Sequence, residues 1–111
     1  MDELLFIETI KIVELIQQSK YTELEKKGYL EKINAVDIKN ILDDYGGVIN
    51  EVVENEYRKS FQYIKINNSD IYKTYVDFVI DGKRSDLTLI CDIYVCNNRM
   101  YKVIIDDVHV L

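Results

Sequence analysis

Two apolar-rich, β-branched runs, Ser85 to Val95 and Arg99 to Val110, flank Asn97-Asn98. Asparagine tolerates the positive φ that a two-residue hairpin turn demands, so the segment predicts one long β-hairpin whose turn sets its register. Cys96 is then expected opposite Arg99, Tyr94 opposite Tyr101, Ile90 opposite Ile105 and Thr88 opposite Asp107. Asp86 is expected opposite His109, the only histidine, with Arg84 beside Leu111 and its terminal carboxylate. Alternation places Leu87, Leu89, Cys91, Ile93 and Val95 with Met100, Ile104, Val108 and Val110 on a core face, interrupted by Lys102 and Asp106. The other face carries Thr88, Ile90, Asp92, Tyr94, Val103, Ile105 and Asp107, a mixture suited to a concave binding sheet or to one covered by a partner.

The preceding residues read as helices followed by further strands. From Asp2 to about Ser19, Leu5, Ile12 and Ile16 with Phe6, Ile10 and Val13 form a broad apolar stripe at helical spacing. Thr22 and Glu25 have capping-box spacing for a short helix closed at Gly28, in which Leu24 has little to bury. A third helix is expected from Asn34 to Gly46-Gly47, turning Ile38, Ile41, Leu42 and Tyr45 inward. Residues 51 to 59 are ambiguous between a strand and a helical turn. Strands are expected from about Arg58 to Ile66 and from Tyr72 to Ile80, where Asp81-Gly82-Lys83 turns the chain into the hairpin. The fold class is therefore α+β: helices within about 2–46 packed on one face of an antiparallel meander within about 48–111, in a single domain over 1–111.

Composition narrows the functional classes. The chain has 111 residues, of which 48% are hydrophobic and 31% charged, and it contains no proline, which suits one core rather than a disordered tail. Acids at Asp2 and Glu3 replace the positive charge of a secretory signal, and Glu8, Lys11 and Glu14 interrupt the following apolar run, so neither export nor membrane spanning is expected. Cys91 and Cys96 point to opposite faces of one strand and cannot bridge, and two free thiols suit a reducing cytoplasm. No clustered ligands suggest a metal, and no cofactor motif is present.

The net charge of −6 is unevenly distributed, because residues 1 to 56 hold 13 acids against 6 lysines. Asp37, Asp43, Asp44, Glu51, Glu54 and Glu56 have only Lys39 among them, making 37 to 56 the most acidic stretch. Such a region repels nucleic acid and speeds the approach of a basic protein partner. Tyr94, Arg99 and Tyr101 form a second docking candidate on the mixed sheet face, since tyrosine offers a rigid contact area with a hydrogen-bonding tip. His109 beside Asp86 and Asp107 has the types of a general base with its orienting carboxylates, yet no serine or cysteine nucleophile falls within reach in this register. Arg84, Asp86, Asp107 and His109 read more simply as a salt-bridged clasp on the last strand, with no catalytic residue assigned.

Gly82 through Leu89, with the core Arg84-Ser85-Asp86-Leu87-Thr88-Leu89, and the closing Asp106-Asp107-Val108-His109-Val110-Leu111 resemble a family of small, uncharacterised bacterial domains. Tyr45-Gly46-Gly47 resembles its helix-ending motif. The chain departs from that pattern where Lys83 separates Gly82 from Arg84, and where Tyr75 occupies an expected tryptophan position. The helices on a bent sheet resemble the nuclear-transport-factor-like (NTF2-like) and cystatin-like cones. In size, acidity and lack of a catalytic motif the chain also resembles immunity proteins against contact-dependent bacterial toxins. That resemblance implies a cytoplasmic binding protein that occludes a basic toxin, such as a nuclease, without membrane or nucleic-acid contact. The alternative is a small ligand-binding or enzymatic domain with a pocket near His109.

Overall fold

Helices precede sheet along the chain in the computed structural model, which describes residues 1–111. The helices are α1 (Asp2–Gln17), α2 (Tyr21–Lys26), α3 (Ala35–Tyr45) and α4 (Glu54–Arg58). They are followed by β1 (Gln62–Lys65), β2 (Ile71–Ile80), β3 (Lys83–Cys96) and β4 (Arg99–Val110), forming a four-stranded sheet in the order β1-β2-β3-β4. Every neighbouring pair is antiparallel, so the class is α+β with an open sheet.

Each helix reflects a local preference completed by packing. Asp2 and Glu3 begin α1 at the positive end of its dipole, and Leu5, Phe6, Ile10, Ile12, Val13 and Ile16 are buried along it. The α3 cap forms as expected, with Asn34 Oδ1 accepting the Asp37 N–H at 2.8 Å. The α2 helix instead starts at Tyr21 without a side-chain cap, and Leu24 is fully buried in the main core. One leucine is enough where α2 packs against α1.

The ambiguous stretch of 51–59 forms the helical turn α4, and the expected strand from Arg58 is shortened to the four residues of β1. The tertiary partners of Tyr57 and Arg58 account for this difference. Tyr57 is 1% exposed and its hydroxyl accepts the Val79 N–H at 3.1 Å. Arg58 donates two hydrogen bonds to Glu3 and lies over the Phe6 ring at 4.1 Å. These contacts outweigh the weak alternation of 57–63.

The hairpin tip keeps its expected register, with Asn97 and Asn98 at φ 52° and 62° and Cys96 opposite Arg99. Further down, β4 carries two extra residues. Tyr101 is unpaired, so Tyr94 meets Lys102, Asp92 meets Ile104 and Cys91 meets Ile105. Asp106 is the second bulge residue, after which Ile90 meets Asp107 and Thr88 meets His109. Strict alternation would have turned Lys102 and Asp106 into the core and Val103 and Ile105 away from it. The two bulges reverse that outcome: Val103 and Ile105 pack on the helix side, while Lys102 and Ile104 join the outer face.

The helix side of the sheet carries Val76 and Phe78 of β2, Leu87, Leu89 and Cys91 of β3, and Ile105 and Val108 of β4, all in the main core. Within it, Thr9 and Thr74 hydroxyls share a hydrogen bond of 2.9 Å, and burial pushes the Cys91 thiol well above its ordinary value. Cys96 is exposed and both thiols are free. Gly47 closes the junction between helices and sheet at φ +81°, where a Cβ would lie 2.6 Å from Ile80 Cγ2.

Candidate functional site

The face of the sheet away from the helices takes its pattern from the bulged register. Ile71, Tyr94 and Lys102 form one row across the strands, Lys73, Asp92 and Ile104 the next, then Tyr75, Ile90 and Asp107, and finally Asp77, Thr88 and His109. Ile90 and Ile104 are buried here outside both hydrophobic clusters. The mixed character expected for this face is present, although Ile104 rather than Val103 and Ile105 contributes from β4.

A charged quartet occupies the centre of this face. Asp92 is 3% exposed, with Lys32 Nζ 3.0 Å from Oδ2 and Lys73 Nζ 3.0 Å from Oδ1. The Lys73 contact lies off the hydrogen-bonding direction, so Oδ1 has an ionic neighbour but no hydrogen bond. The same two ammonium groups reach Asp106 at 3.1 and 2.7 Å. Burial pushes Asp106 upward, but Lys73 and Lys32 outweigh it and hold the carboxyl below its usual range. The hydrogen bonds that Lys32 donates to Asp92 and Asp106 in turn raise it, while Lys73 is raised by the same carboxylates against its burial. Lys32 belongs to the α2–α3 connector, which also accepts the Ile105 N–H at Tyr29 O and pairs Glu31 with Lys102. The quartet and these two contacts fasten the connector along the outer edge of β4.

Beside the quartet, α3 and β4 enclose an open cleft of about 420 Å³. Asp37 and Asp44 line it from α3 and Asp106 and Asp107 from β4, with Asn40, Ile33 and Ile41 between them and Lys32 as its only base. Asp37 and Asp44 are exposed, and no cation of the chain pairs with them.

The expected clasp of Arg84, Asp86, Asp107 and His109 does not form as a unit. Asp107 pairs along its own strand with His109 Nδ1 at 2.6 Å. A wide bulge in β3 between Thr88, opposite Asp77, and Arg84, opposite Val79, shifts the base of the hairpin. Ser85 sustains the bulge by donating to Phe78 O at 2.7 Å and accepting the Leu87 N–H at 3.1 Å. Arg84 consequently pairs with Asp77, whose other oxygen accepts from Thr88, while Asp86 accepts from the Tyr45 hydroxyl at 2.7 Å. Tyr45, expected to turn inward, is 38% exposed and makes this bridge from the end of α3.

Residues 13–111 match the model of a family described as a domain of unknown function (DUF7668). The chain belongs to this family. No curated protein and no solved structure matches it. The Tyr45-Gly46-Gly47 and Arg84–Leu89 motifs of the DUF7668 chain meet through Tyr45 and Asp86, giving both a shared structural role. No helix is long and apolar enough to cross a membrane.

The other site residues divide among several surfaces. Asp43 lines a separate cleft with Tyr21 and Lys39, Glu54 and Glu56 of α4 pair with Arg58 and Lys59 at its end, and Glu51 is exposed in the preceding loop. The acidic stretch is contiguous in sequence but not as one patch. Tyr94 and Tyr101 lose their direct register yet keep ring centroids 6.0 Å apart, and Arg99 stays exposed at the tip. His109 lines none of the five principal clefts. Lys32, Lys73 and Asp77 carried no signal in the sequence, because the carboxylate partners of the two lysines lie up to 74 residues away and Asp77 meets Arg84 and Thr88 only in the bulged register.

Proposed function

We propose that this DUF7668 domain is a cytoplasmic binding protein that occludes a basic protein partner with the α3–β4 cleft, in the manner of an immunity protein covering a toxin's active site. The observation that carries this reading is the set of uncompensated carboxylates of Asp37 and Asp44 facing Asp107 across an open groove. By contrast, the carboxylates of Asp77 and Asp92, and of Asp106 within the groove itself, are paired to cations. Unpaired like charges in one groove oppose compact folding and are relieved when a cationic surface docks, which also accelerates encounter. Ile33 and Ile41 supply an apolar floor for such a contact. The exposed Tyr101 and Arg99 at the hairpin tip offer a second point of attachment to the same partner.

An upstream gene encoding a large secreted protein with a variable C-terminal domain would supply the candidate partner, and co-expression with that domain tests this proposal. Growth rescue and co-purification are expected, with Asp37→Lys/Asp44→Lys abolishing both while the variant remains folded. Failure of the unmodified domain to rescue growth and to co-purify overturns the immunity reading.

A further inference from the structure

We infer that the cleft at the base of the outer sheet face, separate from the acidic groove, binds a small zwitterion of the α-amino acid class. Arg84 and Asp86 line this cleft together with Gln62 and Tyr75, and it encloses about 310 Å³. That volume lies at the lower end of ligand sites, which run from roughly 300 to 1,000 Å³.

Two opposite charges stand two residues apart on one strand, yet no ion pair joins them. Each is held by a different neighbour. Arg84 Nε donates to Asp77 Oδ2 at 2.8 Å, and Asp77 Oδ1 accepts the Thr88 hydroxyl at 2.6 Å. Thr88 is itself 2% exposed, so the support behind the arginine is rigid. Asp86 Oδ1 accepts from the Tyr45 hydroxyl across from α3. These bonds leave the terminal amino groups of Arg84 and the second oxygen of Asp86 without a partner in the protein. A guanidinium held at Nε presents its remaining N–H groups as a planar donor set, which matches a carboxylate. The free Asp86 oxygen accepts from an ammonium group.

Charge decides between ligand classes. Asp77 and Asp86 outnumber Arg84 in this cleft, so a bare anion meets net negative surroundings, while a bare cation leaves the terminal amino groups of Arg84 without a partner. A ligand carrying both a carboxylate and an ammonium satisfies both unpartnered groups. Gln62 and the Tyr75 hydroxyl provide neutral hydrogen-bonding capacity on the opposite rim.

The test is a ¹⁵N-resolved NMR titration of the full chain with the common amino acids in turn, and with acetate and glycinamide as probes lacking the ammonium and the carboxylate. An amino acid is expected to shift the Arg84 Nε–H and Thr88 amide resonances at millimolar concentration, with acetate and glycinamide at least roughly tenfold weaker. Arg84→Gln and Asp86→Asn should each weaken binding by at least roughly tenfold. Asp86→Asn preserves side-chain volume and an oxygen for Tyr45, so its amide spectrum should stay native-like. Absence of shifts with every amino acid overturns the proposal. So does acetate binding as tightly as the amino acids, or unchanged affinity in folded Asp86→Asn.

Discussion

Asp92 and Asp44 carry the same side chain and flank the same region of the molecule, but their surroundings separate stability from recognition. Asp92 is sealed on the sheet between Lys32 and Lys73, whereas Asp44 stands exposed on α3 without a cation. Removing a buried partner leaves charges that the fold must accommodate, while removing an exposed carboxylate leaves only water. The quartet therefore acts as a fastener for the α2–α3 connector, and the cleft beside it is left with charge that nothing in the chain absorbs.

The strongest way to break this contrast is Asp92→Ala. We expect a loss of about 2–3 kcal/mol in urea unfolding, below the extreme for a buried pair because the half-exposed Lys32 can turn to water. A loss comparable to that of Asp44→Ala would show that the quartet is not a fastener. Lys73→Met should cost less, about 1–2 kcal/mol, because Lys32 still faces Asp92 while an apolar chain replaces the buried stem of Lys73.

Acid titration sharpens the same contrast. The folded carboxyl of Asp106 lies below its unfolded value, so its contribution is present above about pH 4 and is lost as pH falls through the depressed folded value. Hydrogen exchange at the Ile105 amide, bonded to Tyr29 O, should accelerate in that acid window relative to amides at the hairpin tip. Equal acceleration at both places would detach the quartet from the connector. The smallest stability effect is expected for Asp37→Asn/Asp44→Asn, within about 0.5 kcal/mol of the unmodified chain. Its effect should instead fall on the association rate with a basic partner and on the salt dependence of that rate, both read by stopped-flow mixing.

Much of the architecture was legible because it follows from short-range rules. The apolar spacing of α1, the Asn34 cap, the paired asparagines of the hairpin and the division into helices then strands each depend on residues a few positions apart. The register at the base of the hairpin was not legible from the turn alone. One clue was visible: Lys102 and Asp106 interrupted the expected core face at the places where β4 bulges or slips. A charged residue on a predicted core face can signal a bulge as readily as a functional site. The candidate site was less accessible still. Asp37 and Asp44 lie in the acidic stretch, but Asp106 and Asp107 join them only after the chain has folded back through the whole sheet.

By itself the sequence determined the α+β class, the hairpin tip and an acidic character concentrated in its first half, since propensity, turn chemistry and charge count are local or additive. Tertiary structure decided which acids are quenched and which remain free. The deciding step is a shift of two residues between β3 and β4, which turns Val103 and Ile105 toward the helices and brings Asp106 out of the expected core face to join Asp92 and Lys73 in the quartet. Burial of apolar surface outweighs an uninterrupted ladder, and every charge on β4 takes its place accordingly.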